Sequence, residues 1–328
     1  MEYRQLGNTG IKVSTLGFGC GDVGGLMVRG TPGVRLQAVK RALDLGITYF
    51  DTAPSYGNGQ SEINLGAAIR QLKADVVIGT KVQIQASESG DLEYATVQSV
   101  EASLARLGRA HVDLIQLHNT IGPSRVEGNA TLTPKDAIEI SQIFEMLAAQ
   151  GKVGAWGFTA VGDTYELLDV VASKRFHTAQ SSYNLLNPSA AGSVPNRFFY
   201  HNFMDLINVA SSQEMGIIAI RVLAGGAFSQ TTTRHELASA APSPIGSGGS
   251  YVDDVATVDR FAFLWKEGYV AGPIEGAIRF VISNMAVSTA LVGLSSLEQL
   301  EYASQAVEKG PLPGEALERL QEIWAELS

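Results

Sequence analysis

The stretch Tyr49-Phe50-Asp51-Thr52-Ala53-Pro54-Ser55-Tyr56-Gly57 decides how this chain is read. Its first residues close an apolar run that starts at Ile47, and Pro54 and Gly57 then mark a short connection that carries a tyrosine. Two further fragments repeat the design: Ile78-Gly79-Thr80-Lys81-Val82 and Leu114-Ile115-Gln116-Leu117-His118-Asn119. Each is a strand-like apolar run ending in one ionisable side chain. Strands of this kind set side by side in a parallel barrel deliver Asp51, Tyr56, Lys81 and His118 to one mouth, because the connections that leave such strands open on the same face.

Outward from that stretch, apolar runs alternate with helical spacing along the chain. Strands are expected near Thr15 to Gly19, Ile47 to Asp51, Val76 to Lys81, Val112 to His118, Val153 to Phe158, Thr178 to Ser181, Ile217 to Arg221 and Ser288 to Val292. Between them, residues Arg35 to Leu45, Glu62 to Leu72, Ala95 to Leu107, Asp136 to Gln150, Tyr165 to Ala172, Asn202 to Gln213 and Ala256 to Trp265 carry apolar side chains at helical intervals. Strands buried on both faces and separated by helices form a parallel sheet, and eight such units close into a (β/α)₈ TIM barrel. A hairpin of Tyr3 to Leu6 and Ile11 to Ser14 around Gly7-Asn8-Thr9-Gly10 is expected to cap its closed end. One long irregular stretch, Leu223 to Tyr251, follows the seventh strand; Gly225-Gly226 and Pro242 to Gly249 mark it as a loop, and loops of that length in enzymes serve as lids or binding elements.

A wound open sheet is the competing architecture. It binds a dinucleotide at a glycine-rich turn after its first strand, and Gly17-Phe18-Gly19-Cys20-Gly21 does not fit that turn, since its third glycine falls at Asp22. A barrel accommodates all 328 residues in one domain, spanning 1–328, and no linker divides the chain.

The composition, 45% hydrophobic and 17% charged, is that of a packed globular enzyme. A net charge of -9 without a basic cluster argues against nucleic acid and anionic membranes as partners. Neither a leader-like start nor a run of about 20 apolar residues is present, so the expected location is the cytoplasm. The single cysteine, Cys20, builds neither an intrachain disulfide nor a cysteine metal site.

The four ionisable residues form a set with a chemical use. A tyrosine titrates near 10 and is a poor proton donor at neutral pH unless a neighbour favours its anion. Lys81 beside Tyr56 supplies that influence, and Asp51 holds the ammonium. His118, as a neutral imidazole, donates to a carbonyl oxygen and orients the substrate. The set describes a general acid for carbonyl reduction, with hydride from a nicotinamide because no side chain carries hydride. Each member has an ordinary structural use as well: a turn cap for Asp51, a packed ring for Tyr56, a strand-end lysine, a core histidine. Four ionisable residues at the ends of three consecutive strands favour the joint reading.

Here the residues resemble the aldo-keto reductase family over nearly the whole chain. The opening Tyr3-Arg-Gln-Leu-Gly-Asn-Thr-Gly-Ile-Lys-Val-Ser14, the segment Gly46 to Gly57, the run Gly79-Thr-Lys-Val82 and Val112 to His118 are similar to its signatures, in order. The resemblance implies a catalytic tetrad of Asp51, Tyr56, Lys81 and His118 and a reversible reduction of aldehydes or ketones with NADPH and without a metal. It places cofactor contacts at Gly21, Thr159, Gln180, Ile220, Arg221, Leu223, Gly225, Gly293, Ser295 and Gln299. Among these, Thr159 and Gln180 would hold the nicotinamide carboxamide, and the loop from Leu223 would cover the pyrophosphate.

Several positions depart from the family's habit. Thr159-Ala160 stands where a Ser-Asn pair is frequent, and Ile220 where a tyrosine commonly stacks on the nicotinamide. Arg221 is unusual, with an ion pair or a cofactor or substrate oxygen as its expected partner. In Val292 to Ala303, which resembles the adenosine-binding segment, no cation awaits a 2′-phosphate; Gln299 replaces a frequent arginine, and Tyr302-Ala303 a Glu-Asn pair. Ser295 and Ser296 hydroxyls suit a phosphate, whereas Glu301 suits a free ribose hydroxyl, an arrangement favouring NAD. NADP is the first choice of cofactor with NAD possible, and the substrate is expected to be a small carbonyl compound or a sugar. The alternatives are an NAD-linked sugar or alcohol dehydrogenase and, from another class, a cofactor-binding regulatory subunit like the potassium-channel β-subunits. Asp22 beside Gly21, and Arg197-Phe198-Phe199-Tyr200, are further candidates for the pocket wall, with packing the preferred reading of the aromatic run.

Overall fold

Short apolar runs that alternate with capped helices wind into a closed barrel, seen in a computed structural model that describes residues 1–126, 128–242 and 249–326. The hairpin comes first, β1 (Tyr3–Gln5) and β2 (Lys12–Ser14), paired antiparallel with Tyr3 opposite Ser14. The barrel strands follow: β3 (Leu16–Gly19), β4 (Tyr49–Asp51), β5 (Val77–Val82), β6 (Val112–Leu117), β7 (Val153–Thr159), β8 (Thr178–Ser182), β9 (Gly216–Ile220) and β10 (Val287–Gly293). All neighbours are parallel, and β10 closes the ring against both β3 and β9. Each expected strand is present, within a few residues of its expected bounds.

Local chemistry sets where the helices begin. Thr31, Asp91, Thr133, Asp163 and Ser296 each accept a backbone N–H at a helix start, and Pro32, Pro134 and Pro273 occupy first-turn positions where a missing N–H costs nothing. The resulting helices, Pro32–Asp44, Gln60–Leu72, Leu92–Leu107, Pro134–Ala149, Thr164–Ala172, Leu206–Ser212, Pro273–Ser283 and Leu297–Glu308, follow the barrel strands one by one. A main core lies between this ring and the strands; Phe50 and Phe18 are fully buried there, each burial contributing about 1.5–3 kcal/mol relative to exposure.

The hairpin closes the end of the barrel where the strands begin. Leu6 and Val13 enter the interior beside Leu114, Ala155 and Ile218, while Ser14 exchanges hydrogen bonds with Thr48, just before β4. At Gly7 (φ 58°) a Cβ would collide with the backbone of Glu214 to Gly216, so only glycine lets the hairpin approach β9 this closely.

Three expectations need correction. The helix expected over Asn202 to Gln213 starts only at Leu206, because Met204 and Asp205 take left-handed φ of 50° and 62°. The one expected over Ala256 to Trp265 is divided into short turns, Tyr251–Thr257, Val258–Phe261 and Phe263–Lys266. Helices Leu26–Arg29, Pro273–Ser283, Leu297–Glu308 and Gly314–Glu326 went unassigned in the sequence. After β9 the chain passes through a 3₁₀ segment, Ala224–Ser229, before the long connection; the expected loop residues Ser243 to Gly248 lie outside the described residues. Among the described residues no helix is long and apolar enough to cross a membrane.

Candidate active site

The parallel register sets three side chains around the mouth. Asp51 ends β4 opposite Gly79, Lys81 lies on β5, and His118 follows β6 with its backbone N–H donating to Val82 O at 2.8 Å. Tyr56 sits on the turn after β4, fixed by Tyr56 N to Ala53 O (3.2 Å) and by Gly57 N to Asp22 Oδ2 (3.1 Å). The four expected catalytic residues are therefore together: the Lys81 ammonium nitrogen lies 4.8 Å from the Tyr56 ring centre, and the Tyr56 and His118 rings meet edge to face at 6.3 Å.

Beneath the mouth, Asp51 and Lys81 are both about 1% exposed. Lys81 Nζ donates to Asp51 Oδ1 and, at 2.8 Å, to Thr52 O. Asp51 Oδ2 accepts from Tyr49 Oη at 2.9 Å and from Gln180 Nε2 at 2.6 Å, and Gln180 Oε1 in turn accepts from Thr159 Oγ1 at 3.1 Å. A buried ion pair of this kind persists because its remaining lone pairs are satisfied. The resemblance assigned Gln180 and Thr159 to a carboxamide; here Gln180 donates to the carboxylate and Thr159 to Gln180. Tyr49 was missed.

Burial shapes the proton affinities. It pushes the Tyr56 phenol above its ordinary value; the Lys81 charge pulls the other way, and burial prevails, so the net lowering expected from Lys81 is not seen in this state. Burial works against the Lys81 ammonium, but Asp51 and Tyr56 outweigh it and its pKa is raised. Burial, with the Lys81 charge behind it, lowers His118 to about 3, which keeps the imidazole neutral at physiological pH.

A cavity of about 750 Å³ runs from this cluster along the mouth. Asp51, Tyr56 and His118 line it, and Lys81 lies behind them. All ten residues expected at the cofactor, Gly21, Thr159, Gln180, Ile220, Arg221, Leu223, Gly225, Gly293, Ser295 and Gln299, line it as well. Its volume suits a dinucleotide. Two observations of the walls agree: among the described residues His118 Nδ1 is buried without a hydrogen-bond partner, and Arg221, in a left-handed conformation (φ 57°) with its carbonyl held by Asn184 Nδ2 at 2.9 Å, makes no ion pair. The residues present fit such a cofactor.

The adenosine-like segment differs from the expectation in detail. Ser295 Oγ donates to Gly24 O at 2.6 Å, its N–H goes to Gln299 Oε1 at 2.8 Å, and Ser296 caps the following helix, so both hydroxyls are already engaged. Glu301 pairs with Arg41 at 2.8 Å and does not line the cavity; Glu298 does. The long connection adds the Arg234 guanidinium and the His235 ring to the wall, neither of which a local motif pointed to. Arg234 donates to Ser239 O, Gly225 O and Val23 O, and Arg29 ties Leu237 O to Asp22, which fastens this connection across the mouth. In Arg197 to Tyr200, Phe199 is 71% exposed and Tyr200 is packed; none of the four lines the cavity.

Known proteins place this geometry. Residues 15–325 match the sequence profile of the Aldo/keto reductase family. A protein of Schizosaccharomyces pombe named as a putative voltage-gated potassium channel subunit beta is 29% identical, covering 98% of this chain and 93% of its own length. L-Galactose dehydrogenase of Arabidopsis thaliana is 26% identical, covering 99% and 94%. Among solved structures, the holo form of an aldo-keto reductase from Bacillus halodurans superposes with a TM-score of 0.73 over 100% of this chain and 97% of that one, at 24% identity, and shares the fold. With its barrel, its hairpin and a profile match over nearly its whole length, the chain belongs to the aldo/keto reductase family.

Proposed function

We propose that the protein is an NAD(P)H-dependent oxidoreductase that reversibly reduces an aldehyde or ketone to the alcohol, with Tyr56 as the general acid. The observation that carries this reading is the pair of Tyr56 and neutral His118 facing the cavity, with the Lys81–Asp51 ion pair behind the phenol. A nicotinamide bound along the cavity supplies the hydride for reduction or takes it in oxidation. His118 orients the carbonyl oxygen and donates to it as negative charge develops there. Tyr56 Oη transfers its proton to that oxygen, and the phenolate left behind is stabilised by the Lys81 ammonium. Asp51 holds Lys81 charged and in place. Gly21, Ile220, Leu223, Gly225, Gly293 and Gln299 shape the wall along the dinucleotide, and Arg221 offers a guanidinium to its oxyanions. A Tyr56→Phe chain that kept wild-type turnover on a good carbonyl substrate would refute the assignment.

NADP is the first choice of dinucleotide, supported by the resemblance and by Arg221 and Arg234 in the wall, which make no ion pair among the described residues. The second reading is an NAD-linked sugar or alcohol dehydrogenase. Glu298 in the cavity and the engaged hydroxyls of Ser295 and Ser296 favour it, and a relative is named as an L-galactose dehydrogenase. Steady-state constants for NADH and NADPH in both directions, over aldehydes, ketones and aldoses, separate the two. A regulatory subunit, the class named for the fission-yeast relative, would bind dinucleotide and turn over nothing on that panel.

A further inference from the structure

One large polar side chain lies inside the barrel that the reaction above does not use. Tyr49 is fully buried and packs in an inner cluster with Leu6, Val13, Leu114, Ala155 and Ile218. It sits two residues before Asp51 on β4, so both side chains face the interior. The neighbouring strands make room for it: a Cβ at Gly79 on β5 would lie 2.5 Å from the Tyr49 hydroxyl, and one at Gly17 on β3 would lie 3.1 Å from its ring. Glycine inside a strand weakens it, and two of them flank this phenol. Phenylalanine would fill the same apolar layer with no hydroxyl to satisfy. The hydroxyl donates to Asp51 Oδ2 at 2.9 Å beside Gln180, which stands within its hydrogen-bond reach and donates to the same oxygen at 2.6 Å, while Lys81 holds Oδ1.

Donors on Oδ2 draw negative charge away from Oδ1, and in a buried site this polarisation passes along the hydrogen-bonded chain. The less charge remains at Oδ1, the more of the ammonium field reaches the Tyr56 ring, 4.8 Å from Lys81 Nζ.

We propose that Tyr49 is a positioning residue for Asp51: its hydroxyl, donating to Oδ2 from inside the barrel, sets how strongly Lys81 acts on Tyr56 and thereby the proton affinity of the catalytic phenol. The inference rests on the carbonyl-reductase reading. Other titratable or charged groups face the same cluster: the Cys20 thiol at the end of β3, His118 after β6, Arg221 after β9, and Asp22 paired with Arg29 beside Gly57. None of them touches Asp51 Oδ2, so a change confined to the Tyr49 oxygen leaves their contacts in place.

The test is a Tyr49→Phe chain compared with a chain carrying 3-fluorotyrosine at position 49, a stronger donor of the same shape. In single-turnover reduction, the alkaline inflection belonging to Tyr56 is expected to rise by about half to one pH unit in Tyr49→Phe and to fall in the fluorotyrosine chain. The same ionisation is read without turnover, as the phenolate absorbance that disappears in Tyr56→Phe. Shifts of opposite sign in the two chains support the proposal. If the absorbance shifts and no carbonyl is reduced, the functional reading fails and the role of Tyr49 stands. An inflection and absorbance unmoved in both chains, or moved in the same direction, overturn it, even where Tyr49→Phe lowers stability. Should Tyr49→Phe not fold, the fluorotyrosine chain, which keeps the hydroxyl, decides alone: a lowered inflection supports the proposal and an unmoved one overturns it.

Discussion

At the Tyr56 end of the cavity the polar groups stand on or just after strands, and Asp51 receives three donors from three different side chains, Tyr49, Lys81 and Gln180. At the Gln299 end the wall is a helix start and a long connection, Ser295 N–H donates to Gln299 Oε1, and the side chains of Glu298, Arg234 and His235 line the cavity. On the proposed function, the contrast separates two jobs. A proton-transfer site needs fixed distances, and the barrel register supplies them. A surface that selects between dinucleotides needs only charge and room, and can be assembled from segments that differ among relatives on one scaffold.

If that contrast is right, the largest effect comes from cutting the strand-built end. Lys81→Met leaves the Asp51 carboxylate buried without its cation, which is expected to lower the free energy of unfolding by about 3–5 kcal/mol in urea titration and to abolish measurable reduction. Next comes the junction of the two ends: Arg221→Ala is expected to weaken dinucleotide binding by about 10- to 100-fold, read as fluorescence quenching, with little change in melting temperature. An unchanged affinity would move Arg221 out of the cofactor's reach.

A smaller effect is expected from His118. Its folded pKa of about 3 lies below the 6.5 of an unfolded chain, so between these values the unfolded state binds the extra proton and acid favours unfolding. Stability should therefore fall as the pH drops through that window, and less steeply in His118→Gln; parallel melting curves for the two chains would contradict a neutral buried imidazole. The smallest change is expected at the loop-built end, where Glu298→Gln should shift the ratio of NADPH to NADH specificity constants a few-fold toward NADPH. A larger swing than that of Arg221→Ala would reverse the ranking of the two ends.

The same contrast governs what was legible in the sequence. Asp51, Lys81 and His118 stand at or beside the ends of apolar runs, and a parallel barrel must bring such ends together, so strand recognition alone placed them. Tyr49 escaped because an aromatic residue in a strand reads as packing; the signal available was glycine inside neighbouring runs, Gly17 and Gly79, which implies something bulky between them. The bonds of Glu301 and Ser295 went unread for another reason. Their roles depend on partners far along the chain, Arg41 and Gly24, that no local spacing reveals. Arg234 reaches the cavity only because its connection is fastened to Val23 and Asp22, and the break at Met204-Asp205 depends on left-handed backbone at residues other than glycine.

The central claim, that Tyr56 gives the proton and the ion pair behind it sets when, is tested most directly by the pH dependence of single-turnover reduction with NADPH already bound. The account predicts one alkaline break in the wild-type chain, retained in His118→Gln at a lower rate and absent from the residual rate of Tyr56→Phe. The same break at an undiminished rate in Tyr56→Phe would contradict it.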